Sequence, residues 1–99
     1  MGEAARPQKL VVIGASSGGI EALRAVVEAL PPDFPAAVVI AQHLDPRRPS
    51  HLQEILQGRT SLSVRTVDGT MPLESGAIHV VPASYDVAIT DHTVSVQIG

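Results

Sequence analysis

The stretch KLVVIGASSGGIEALRAVVEALPP, from Lys9 to Pro32, decides the fold. Lys9 to Gly14 is a short apolar run closed by glycine, the pattern of a strand buried on both faces in a parallel sheet. From Ser17 to Leu30 the apolar residues Ile20, Leu23, Val27 and Leu30 recur at helical spacing. Pro31-Pro32 ends that helix, because proline has no N–H to donate and its ring clashes with the preceding turn. Strand, glycine-rich turn and helix thus follow one another without a linker.

The same alternation continues outward. Ala36 to Gln42 (AAVVIAQ) reads as a second buried strand, followed by a polar, proline-rich loop from His43 to Pro49. Ser50 and Gln53 form a capping box for a helix carrying Leu52, Ile55 and Leu56, and Gly58 ends it. Leu62 to Val67 is a third strand and Asp68-Gly69 a turn. Ala77 to Val81 is a fourth strand, broken by Pro82. Asp86 to Thr90 and Thr93 to Ile98 flank Asp91-His92 as a hairpin. Two consecutive β-α-β crossovers predict an α/β fold: a Rossmann-like, doubly wound, mostly parallel sheet with a β-rich C-terminal segment. Met1 to Gln8 reads as a short flexible lead-in. No helix follows Ile98-Gly99 to cover the sheet, so the sheet is expected to be truncated.

Composition narrows the function. The chain has 99 residues, room for one core. It is 44% hydrophobic but only 2% aromatic, so that core is aliphatic. Phe34 and Tyr85 are the only aromatic rings besides histidine, too few to stack single-stranded nucleic acid. A net charge of −3 gives no electrostatic footprint for a polyanion, so no nucleic-acid partner is expected. Without cysteine there is no disulfide framework, thiol nucleophile or thiolate zinc site. No run approaches the ~18 apolar residues of a membrane span, and MGEAARPQ lacks the apolar region of a signal peptide. The expected setting is cytoplasmic, without membrane insertion.

Gly14-Ala15-Ser16-Ser17-Gly18-Gly19 carries three readings. As G-x-S-x-G it is a nucleophile elbow, with Ser16 on a tight strand-to-helix turn, small neighbours admitting substrate, and the N–H groups of Ser17 and Gly18 facing an oxyanion. As a glycine-rich loop it cradles a dinucleotide phosphate. As a plain turn it uses Ser17 as a helix N-cap. His43 weights the first reading. Residues that follow adjacent parallel strands meet in the crevice at the strands' carboxyl ends, and a serine with a histidine placed to take its proton is the core of an acyl-transfer site. His51, His79 and His92 lie in a helix turn, a strand and a hairpin turn and read as structural or solvated. Of the acids that could orient His43, Asp45, Asp68 and Asp91 sit in turns or loops and Asp86 opens a strand, so the orienting acid is expected beyond residue 99. No metal and no cofactor is expected.

The glycine loop is similar to that of short-chain dehydrogenases, which makes a dinucleotide-binding module the alternative. Ile20 stands where that family's third glycine falls, and the only Lys and Tyr, Lys9 and Tyr85, cannot form its Tyr-x-x-x-Lys pair. The second strand ends in Ala41-Gln42-His43 without the acid that takes ribose hydroxyls. A non-catalytic remnant that binds a partner through an exposed sheet edge is a third reading.

VVIGASSGGIEAL (Val11 to Leu23) with VVIAQHLDP (Val38 to Pro46) resembles the catalytic domain of the bacterial chemotaxis protein-glutamate methylesterases, the CheB type. Asp68-Gly69, Met71 to Gly76 and AIHVVP (Ala77 to Pro82) continue the likeness. The resemblance implies that residues 9–99 are part of a methylesterase catalytic domain, with Ser16 as nucleophile, His43 as general base, and the backbone of Ser17 at the oxyanion. It implies hydrolysis of glutamate methyl esters on the cytoplasmic helices of methyl-accepting chemoreceptors, with glutamine deamidation as a side activity. The Q-H-L-D-P-x-x-P-S wording is nearest to hybrids with a methyltransferase domain, so a fused or associated methyltransferase is a further implied partner. The chain departs from the family in lacking its late G-x-D-G-type segment, the source of the catalytic acid. Asp86 also stands where many members carry histidine. No receiver domain precedes the esterase motifs, so phosphorylation is not expected to switch this chain directly. The 99 residues alone are expected to be weakly active or inactive.

Overall fold

In the computed structural model, residues 9–16, 20–43, 52–82, 85–90 and 92–98 are described. The elements are β1 (Leu10–Ser16), α1 (Ile20–Ala29), β2 (Ala37–His43), α2 (Leu52–Gln57), β3 (Ser63–Thr66), β4 (Thr70–Pro72), β5 (Ala77–Val81), β6 (Tyr85–Thr90) and β7 (Thr93–Ile98). The expected strands and helices are all present, and β1 and β2 each run further toward the carboxyl side than their apolar runs suggested. The expected cap at Ser50 and the turn at Ser17–Gly19 lie outside the described residues.

Four strands form a parallel sheet in the order β1-β2-β5-β3. Three others form an antiparallel sheet in the order β4-β7-β6. The hairpin of β6 and β7 is the expected one, closing at Thr90↔Thr93. Strand β4 was not expected: its three residues have no period of their own, and β7 supplies the ladder they pair with.

Side chains alternate across a strand, so the parallel sheet has two packed faces. On one face Ile78 and Val80 of β5 and Val38 and Ile40 of β2 meet Leu23 and Val27 of α1 and Leu52 and Leu56 of α2. On the other, Ala37, Val39 and Val81 meet Leu73 and Val94, with Met71, Ile89 and Val96 packed against them. The parallel sheet therefore lies between a helical layer and the small antiparallel sheet. Every residue of β5 is buried, as the unbroken run AIHVV requires. Burying one such large aliphatic side chain contributes about 1.5–3 kcal/mol.

The polar exception in β5 is His79, which is fully buried. Its Nδ1 lies 2.9 Å from the Val38 carbonyl oxygen, and the Glu74 N–H donates to its Nε2 at 3.4 Å. A carbonyl only accepts and an amide only donates, so the ring carries its proton on Nδ1. His79 is thus the structural histidine that its place in a strand suggested.

Candidate active site

Two residues of opposite chemistry come together at one end of the parallel sheet. The β1–β2 ladder runs in register from Leu10↔Ala37 through Gly14↔Ala41 and Ala15↔Gln42 to Ser16↔His43. The hydroxyl-bearing residue and the imidazole-bearing residue are therefore partners on its last rung. Neighbouring strands lie about 4.8 Å apart, and both residues stand at carboxyl ends, where parallel α/β sheets open their binding crevice. Strand β5 reaches the same end beside β2, with Ala41 opposite Val81.

The local chain explains the placement. Continuous β-branched runs hold β1 and β2 in extended form, and α1 returns the chain so that the two strands lie side by side. At Gly14 an added Cβ would meet nothing within 4 Å, and the backbone is not left-handed. Gly14 is therefore not required by a left-handed backbone, and the space beside it is open. Ser17 and Gly18, the expected oxyanion donors, and Gly19 lie outside the described residues.

The two described acid candidates, Asp68 and Asp86, do not lie on strands next to His43. Asp68 follows β3, and β3 is separated from β2 by the whole of β5. Two strand spacings are roughly 10 Å, so Asp68 and His43 do not stand on neighbouring strands. Asp86 is exposed on β6 of the other sheet, opposite Gln97. Asp45, Asp91 and His51 lie outside the described residues, and His92 is exposed beside the hairpin turn. Among the described residues, no three His, Cys, Asp or Glu side chains group as metal ligands. No described helix is long and apolar enough to cross a membrane.

Fold and site together define a Rossmann-like α/β domain with serine and histidine at the carboxyl ends of adjacent parallel strands. The family model described as CheB methylesterase matches residues 11–98, and the chain belongs to that family, whose members are hydrolases. A protein-glutamate methylesterase/protein-glutamine glutaminase of Burkholderia orbicola (strain AU 1054) is 51% identical over 70 residues, covering 70% of this chain and 20% of that protein. A counterpart from Symbiobacterium thermophilum is 35% identical over 83 residues, covering 84% of this chain and 23% of that protein. The crystal structure of the Thermotoga maritima CheB methylesterase catalytic domain superposes with a TM-score of 0.79 at 26% identity, covering 92% of this chain and 50% of that one. The chain thus spans about a quarter or less of these two curated relatives and half of the solved domain. The dehydrogenase-type alternative finds no support in these likenesses.

Proposed function

We propose that this chain carries the nucleophile and general base of a protein-glutamate methylesterase, with Ser16 and His43 in those roles. The observation that carries the reading is the Ser16↔His43 rung at the end of the β1–β2 ladder. In the reaction, Ser16 Oγ attacks the carbonyl carbon of a glutamate γ-methyl ester while His43 takes the hydroxyl proton. The backbone N–H groups of Ser17 and Gly18 stabilise the oxyanion. Collapse of the tetrahedral intermediate breaks the bond to methoxide, which leaves as methanol with the proton from His43. Water, deprotonated by His43, then releases the glutamate carboxylate and restores Ser16. The same steps on a glutamine side chain release ammonia, in keeping with the glutaminase in the relatives' names.

The substrate in this reading is a methylated helix of a chemoreceptor in chemotaxis signalling, and the setting is cytoplasmic. A fused or associated methyltransferase is a further partner, and the orienting acid comes from outside the 99 residues. Loss of the orienting acid's function costs about 10⁴-fold in a serine hydrolase, so the chain alone is expected to release methanol near the background rate. Fused to the half of the Thermotoga maritima domain that it does not cover, it is expected to turn over. Ser16→Ala should then lower kcat by roughly 10⁶-fold, the scale seen when a serine nucleophile is removed. Turnover undiminished by Ser16→Ala would sink the reading.

A further inference from the structure

The chain passes from the parallel sheet to the antiparallel one at Asp68-Gly69, the joint between β3 and β4. Both sides of this joint are held. The buried Val67 donates its N–H to the Val80 carbonyl at 2.8 Å, beside the parallel sheet. The Gly69 carbonyl accepts from the Val96 N–H at 2.9 Å, at the start of the β4–β7 ladder. Between these anchors the dipeptide is bare. Asp68 and Gly69 are both exposed. Among the described residues, none accepts from the Gly69 N–H and none pairs with the Asp68 carboxylate. Gly69 has φ +65°, and a Cβ there would meet nothing within 4 Å. Glycine takes this left-handed conformation freely, and with no side chain it leaves its own nitrogen unscreened.

We propose that Asp68-Gly69 is a site of spontaneous covalent modification, at which Asp68 isomerises to isoaspartate through a succinimide. The Gly69 nitrogen attacks the side-chain carboxyl carbon of protonated Asp68. A C–N bond forms, the C–OH bond breaks, and the amide proton and the hydroxyl leave as water. Water then adds to either carbonyl of the ring. Opening at the side-chain carbonyl restores aspartate. Opening at the main-chain carbonyl leaves the backbone running through the side chain, as isoaspartate. Nothing is oxidised or reduced, and water is the only reagent. The rest of the sequence isolates the site. The chain has no asparagine, and its other aspartates precede Phe34, Pro46, Val87 and His92. Those side chains crowd the attacking nitrogen or, in proline, leave it without a proton to lose. Isoaspartate inserts one methylene carbon into a backbone whose two ends are fixed in different sheets. The added length falls on the joint and loosens the bond from the Val96 N–H to the Gly69 carbonyl.

The test ages the folded 99-residue chain for days at mildly acidic pH and physiological temperature. It reads no turnover, so it stands or fails separately from the esterase reading. Intact mass should show a transient species lighter by one water, and peptide mapping should then place isoaspartate at position 68 alone. A protein isoaspartate methyltransferase with labelled S-adenosylmethionine should label the aged chain and leave the fresh chain unlabelled. Asp68→Glu, whose ring would be one atom larger, should lose both signals. Gly69→Ala should slow them, because its Cβ hinders the attack. In the separated isomer, amide exchange at Val96 should rise about 10-fold, the scale of one lost hydrogen bond, with no change at Val64, whose N–H is held by Gln57. Isoaspartate that forms only in the urea-unfolded chain would overturn the proposal, as would labelling that persists in Asp68→Glu. Unchanged exchange at Val96 in the isomer would overturn the claim that the joint bears the added length.

Discussion

Strands β1 and β3 end the same sheet and face opposite problems. β3 has four residues, shields its outer backbone with Gln57, and bears Arg65, which pairs with Glu74 at 2.9 Å. β1 has seven residues, all uncharged, and exposes three consecutive large aliphatic side chains. An unpaired strand edge is a template for further pairing, and folded proteins usually blunt it. Among the described residues the two edges are therefore unequal: side chains blunt the β3 edge, and none does so at β1. The candidate nucleophile, Ser16, ends the bare strand, whereas the polar interior supports the closed one.

The largest effect on this contrast is expected at His79, which ties β2 to the turn before β5 and so helps hold the closed side together. His79→Ala leaves a cavity, deprives the Glu74 N–H of its acceptor, and removes the ring from the Val38 carbonyl, which keeps its place in the β2–β5 ladder. The expected loss is about 2–4 kcal/mol, read as a lower midpoint in urea at unchanged slope. A loss below about 0.5 kcal/mol would show that the buried ring is not what secures this side.

Gln57→Ala comes next, because it makes the closed edge resemble the open one. Two part-buried backbone groups lose their partner, at about 1–3 kcal/mol in total. Amide exchange at Val64 should rise with little change at Ile78, its register partner on the inner side. If Val64 stays protected, some other group covers β3.

Glycines on the two sides sharpen the contrast at a smaller scale. Gly76, just before β5, has φ +75°, and a Cβ there would sit 3.6 Å from the Phe34 carbonyl oxygen, an ordinary contact. The cost of Gly76→Ala is therefore conformational, about 1–2 kcal/mol. Gly14 on β1 has neither a left-handed backbone nor a neighbour within 4 Å. Gly14→Ala should be stabilising by about 0.4–1 kcal/mol, because it restricts the unfolded chain. Thermal melts of the two variants should thus shift in opposite directions.

The sequence reading recovered what short-range pattern controls. The apolar run closed by Pro82 marked the buried strand β5, Pro31-Pro32 marked the helix end, and adjacency of consecutive parallel strands put Ser16 beside His43. The run closed by Gly14 marked a strand, but β1 is not buried on both faces as expected, since Leu10, Val11 and Val12 are exposed. It missed what only the assembled molecule decides. Thr70–Pro72 is a strand because β7 lies beside it. β5 enters between β2 and β3 through pairing distant in sequence. Gln57 looks like any exposed helix residue until β3 folds back against it. Four aspartates stand as candidates for the orienting acid, and only the sheet order tells that β5 lies between the strand before Asp68 and the strand that ends at His43.

The smallest effect is expected at Arg65, the charged feature of the closed edge. Arg65 Nη1 lies 2.9 Å from Glu74 Oε2, with both side chains more than a third exposed. Exposed ion pairs contribute about 0–1 kcal/mol and weaken as salt screens them. Arg65→Ala should therefore lower stability by less than about 1 kcal/mol at low salt, with the difference from the parent chain shrinking in 1 M salt. Arg65 also stands in register with His79, so a double-mutant cycle of Arg65→Ala with His79→Ala separates two accounts of the closed side. Coupling under about 0.5 kcal/mol means that the surface pair and the buried ring act independently. Larger coupling means that the ion pair holds Glu74 where its N–H reaches the ring, and that the blunted edge and the polar interior are one device.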